Sequence, residues 1–198
     1  MDPGRLFDEL LGIAARNGLE VRTRSLRGTV SGKVPFAGGL STLGGCSPTA
    51  KAPEQGHAFL QAGDVALFSA LAPAVVDELA KLDAAERKAR TGDLLRRLDT
   101  TCSLLGMASQ AELRKLLDLL AIGPLRYVLT GVGAWNEASI ETLQAFMTRW
   151  RSSRFETLTA GGNVLVRLTA SSYYVLPVSW PATGYPGPLA HVFAAVNS

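Results

Sequence analysis

Two apolar stripes on either side of a glycine- and proline-broken middle set the strongest limit on what this chain can fold into. Leu113, Leu116, Leu117 and Leu120 fall on one helical face, and Ile140, Leu143, Phe146, Met147 and Trp150 on another. That periodicity predicts two amphipathic helices. Between them Gly123-Pro124, Gly131 and Gly133 punctuate the apolar run 125–132, in which only Arg126 and Thr130 are suited to water. The run is therefore expected to pack against both arms as the broken elbow of a helical hairpin, with the rest of the chain arranged around it.

Capping signals extend the helical reading in both directions. Asp64 is placed to cap a helix carrying Val65, Phe68 and Leu71, and Pro73 fits the first turn of its continuation, with Val75, Val76, Leu79 and Leu82 inward. Asp83 to Glu86 resembles a capping box, ahead of a stripe through Leu94, Leu95, Leu98, Cys102 and Leu105. Ser109 to Glu112 is a second box, opening the first arm. A last helix is predicted over 156–173 with Leu158, Val164, Leu165 and Leu168 inward and Gly161-Gly162 as a weak point. Beyond it, residues 173–188 hold four prolines and four large aromatics, and are expected to run extended with their rings docked. The fold class is all-α: an irregular bundle of about five or six helices with an extended Pro/aromatic tail.

The N-terminal part reads differently. Residues 1–27 are predicted to begin as a helical extension, with Leu6, Phe7, Leu10, Leu11 and Ile13 on one side and Asn17-Gly18 as its stop, followed by a short alternating stretch over 19–26. Residues 28–56 shift to Gly, Ser, Thr, Pro and Ala, leaving 57–198 as the helical domain. Leu43-Gly44-Gly45-Cys46, preceded by Arg22, Arg24, Arg27 and Lys33, resembles a lipoprotein signal in which Cys46 receives lipid; an ordinary glycine-rich linker is the other reading.

Composition removes several function classes. An apolar fraction of 47% over 198 residues supports a buried core, and a net charge of +3 spread along the helices gives no nucleic-acid footprint. Cys46 and Cys102 are too few for a cysteine-built zinc site. His57 and His191 stand far apart in sequence, without companions at ligand spacing, and Ser152-Ser153 have no local His and Asp. Gly131-Val132-Gly133-Ala134-Trp135-Asn136 lacks the preceding strand and the spacing of a phosphate loop, so it reads as a tight turn. Arg149, Arg151 and Arg154 suit a helix C-terminus. Arg96-Arg97 lies on the polar side of a helix. No catalytic, cofactor or metal residues are nominated. Trp150 belongs to the core by its spacing, whereas Trp135 and Trp180 lie in irregular segments. Together with Tyr185, Pro186 and Pro188 they are the candidate partner-interface residues, and a strap over the bundle's own core is the alternative for the tail.

Four stretches carry a family resemblance: 113–122 (LRKLLDLLAI), Ala134-Trp135 before a helix, 146–155 (FMTRWRSSRF) and 180–188 (WPATGYPGP). Over about 58–189 they make the chain similar to the small (gamma) subunits of bacterial flavin-dependent, membrane-associated gluconate, sorbitol and glucose dehydrogenases. The likeness is greatest to periplasmic, twin-arginine-exported partners of glucose-methanol-choline type oxidoreductases. Where that family has its twin-arginine leader, this chain has Arg22-Thr23-Arg24. The resemblance implies a non-catalytic accessory subunit that stabilises or helps export a flavoprotein large subunit holding the FAD. It also implies a periplasmic address, with membrane attachment through a lipid on Cys46 if the signal is used. The competing class is a stand-alone cytoplasmic helical interaction domain.

Overall fold

A computed structural model of the protein describes residues 52–188; the readings of 1–27, the linker with Cys46, and 189–198 with His191 lie outside the described residues. The described chain is all-helical. Its helices are α1 (Ala62–Val75), α2 (Asp77–Lys81), α3 (Ala84–Ser103), α4 (Met107–Ala121), α5 (Gly123–Thr130), α6 (Ile140–Arg151), α7 (Glu156–Tyr174) and the short α8 (Trp180–Thr183). Counting short elements, that is eight among the described residues, where the apolar stripes alone suggested about five or six.

Some starts are those the sequence marks, and others shift. The Asp83 carboxylate accepts the Glu86 N–H at 2.9 Å, opening α3 as expected. Ser139, not anticipated, does the same for α6 by accepting from Thr142. Asp64 lies at the third position of α1, in its first turn: Gln61 is the N-cap, and the Asp64 carboxylate accepts the Gln61 N–H at 2.8 Å, so Asp64 caps the helix from within it. Pro73 starts nothing and lies in the last turn of α1, where the helix ends at Val75. The Ser109 box is not used either. α4 begins at Met107 behind Gly106, and Gln110 turns back to donate to the Ser103 and Leu105 carbonyls at 2.8 and 2.9 Å, closing the α3–α4 corner.

The expected hairpin is replaced by a different centre. α1 touches α2, α3, α4, α6, α7 and the 3-10 turn Trp135–Glu137, with Leu67, Phe68, Leu71 and Ala72 buried. Both arms pack on α1. The middle run is itself a helix, α5, which starts at Gly123-Pro124 and stops at Gly131, whose φ of +75° favours glycine. Thr130, expected to face water, is buried: its hydroxyl donates to the Arg126 carbonyl and accepts from the Val132 N–H, so the polar group is satisfied locally.

Gly161 and Gly162 act as a seat and not a weak point. A Cβ on Gly161 would lie 3.1 Å from Trp150 Cζ3, and one on Gly162 3.1 Å from Trp150 Cβ, so α7 reaches α6 only because both are glycine. Trp150 is fixed there by its indole N–H, which donates to the Leu129 carbonyl at 2.9 Å. Val164, expected inward, is 40% exposed, because the buried side of α7 runs through Leu158, Gly161, Leu165, Thr169 and Tyr173.

Candidate functional site

Polar side chains inside the bundle hold it together. The Asp99 carboxylate of α3 accepts three backbone N–H groups, from Ala58 at 2.8 Å and from Phe59 and Leu60 at 2.9 Å. Burial pushes its pKa up, but the three donors outweigh burial and hold it below the ordinary value. His57 Nδ1 stands 3.8 Å from the same carboxylate. Asp64, 1% exposed, takes a two-pronged contact from Arg114 of α4 at 2.6 and 2.8 Å. Burial opposes the Arg114 charge, yet Asp64 and Asp118 leave its pKa raised. Arg90 bridges Glu78 and Glu86, each at 2.6 Å, beneath the Tyr173 hydroxyl. Burial pushes the Cys102 thiol up to about 12, which leaves it almost wholly protonated and a poor nucleophile near neutrality. Asp99 ties the segment before α1 to α3, Arg114 ties α4 to α1 through Asp64, and Arg90 ties α3 to α2 through Glu78. Among the described residues no cluster of three His, Cys, Asp or Glu is arranged to hold a metal, and no helix is long and apolar enough to cross a membrane.

The sequence-nominated interface residues separate into two groups. Trp135 is core, 4% exposed, because its 3-10 turn lies against α1 and turns the ring toward Phe146 at 6.2 Å, under the Arg126 guanidinium. It is removed from the candidate surface. Arg149, on the same side, donates to the Thr130 carbonyl at 2.6 Å and so covers the end of α5 rather than of its own helix. Trp180, Tyr185, Pro186 and Pro188 do come together, though not in an extended run. A 3-10 turn at Pro177–Ser179 and then α8 coil the segment, the Ser179 hydroxyl donating to the Leu176 carbonyl at 2.8 Å. Half-buried Trp180 receives the Tyr185 ring edge-on at 5.3 Å, while Gly187 folds against its other edge. Pro186 and Pro188 are exposed beside it. Four of the nine large apolar side chains exposed among the described residues, Tyr174, Val175, Val178 and Tyr185, fall in this one short segment. This is the densest run of exposed large apolar side chains among the described residues.

A second feature was missed from sequence. An open apolar groove of about 700 Å³ separates α4 from α7, with the Trp150 ring in its lining. One wall includes Leu105, Ala108, Leu113, Leu116 and Leu119, with Glu112 and Lys115; the other includes Leu158, Ala160, Gly161, Val164 and Leu168, with Glu156 and Arg167. The residues were in the sequence: Leu116, Val164 and Leu168 belong to apolar stripes and were read as inward, whereas Leu116 and Leu168 are only partly buried against the core and Val164 is exposed.

Compared with known proteins, the chain matches no family model, no curated protein and no solved structure.

Proposed function

We propose that this chain is a non-catalytic helical subunit that binds a flavoprotein dehydrogenase large subunit in the periplasm and presents its Trp180–Pro188 surface to it. The observation that carries the reading is the exposed apolar and aromatic cluster from Tyr174 to Tyr185. Its segment is already coiled and proline-restricted, so it loses little backbone entropy on docking. The partner class comes from the resemblance of 113–122, 146–155 and 180–188 to the dehydrogenase small subunits. On this reading FAD and the reacting groups belong to the large subunit, and a lipid on Cys46 is the membrane attachment.

Co-expression with a glucose-methanol-choline type large subunit encoded beside this chain is the test. A stoichiometric complex is expected, carrying flavin that the isolated chain lacks. Tyr185→Ala should weaken it by about 2 kcal/mol with the melting temperature of the chain unchanged. Absence of any complex sinks the reading and leaves a stand-alone interaction domain. A drop of many degrees in the melting of Tyr185→Ala and Trp180→Ala makes the segment a strap on its own bundle. Intact mass of the protein from a bacterial host decides the lipid separately: a chain starting at Met1 with Cys46 a free thiol excludes it.

A further inference from the structure

We draw no further inference here: the strongest candidate, the open apolar groove between α4 and α7, carries nothing because residues 1–51 and 189–198 lie outside the described residues and nothing in the structure shows what covers it.

Discussion

Removing the Asp99 carboxylate should be among the most costly single changes available in this bundle. It ties Ala58, Phe59 and Leu60 to the C-terminal part of α3, across 39 to 41 residues of sequence. In Asp99→Ala the exposed Ala58 N–H and the half-exposed Phe59 N–H can turn to water, but the N–H of fully buried Leu60 cannot. A stranded buried donor costs about 1–3 kcal/mol, and loss of charge-assisted bonds adds to it, giving a total of about 3–4 kcal/mol. Urea unfolding should report this as a lower midpoint at unchanged slope. The pH dependence has a definite sign. A carboxylate whose folded pKa lies below its ordinary value of 3.8 contributes its full stability above that value and loses it as pH falls through the folded pKa. The gap between wild type and Asp99→Asn should thus be level from neutrality to about pH 5 and narrow only below pH 4. A loss under about 1 kcal/mol for Asp99→Ala, or a gap that widens on acidification, would refute the staple.

Three further outcomes follow from the same contacts. Arg114→Met leaves the 1%-exposed Asp64 without its counter-charge and should cost about 3 kcal/mol in chemical denaturation, whereas the double variant Asp64→Leu/Arg114→Met should recover much of it. In a Cys46→Ala background Cys102 should resist a chromogenic thiol reagent at pH 8 until denaturant is added, because its thiol is held near 12 and buried; rapid labelling of the native chain would contradict that. Gly162→Leu should destabilise by about 2 kcal/mol or more despite leucine's better helix propensity, since its Cβ alone comes within 3.1 Å of Trp150 and 3.2 Å of Arg151; a rise in melting temperature would show that α6 and α7 can part freely.

The sequence was most legible where the determinant is local. The stripe through Leu94, Leu98 and Cys102, the one from Leu143 to Trp150, and the Asp83 cap are all written within a few residues, and each is found in place. Most of what failed was set by a distant neighbour, and two helix starts were misplaced by a few residues. Asp99 resembles any polar residue on a helix until the segment 58–60 is laid against it. Trp135, in an irregular stretch, left core and interface readings both open, and it is α1 that makes that stretch interior. Asp64 and Ser109 both carry capping chemistry, yet Gln61 and Gly106 set the actual starts. The tail was half legible: its prolines and aromatics marked Trp180 and Tyr185, though as an extended run and not the coil observed, and the groove was not marked at all, because an apolar stripe reads the same whether its other side is present or missing.

The central place of α1 has a consequence in time. Among the described helices it is the first to be synthesised, and two of its main neighbours, α6 and α7, are the last long ones. At about 5–20 residues per second a ribosome needs on the order of 5–20 s to pass from the end of α1 to the end of α7. Over that interval Leu67, Phe68 and Leu71 have no native cover from either helix, so the nascent chain is a client for holding chaperones until its final third emerges. A chain truncated before Glu156 would lack the α7 cover of α1 and is expected to leave Leu67, Phe68 and Leu71 more exposed than in the full chain.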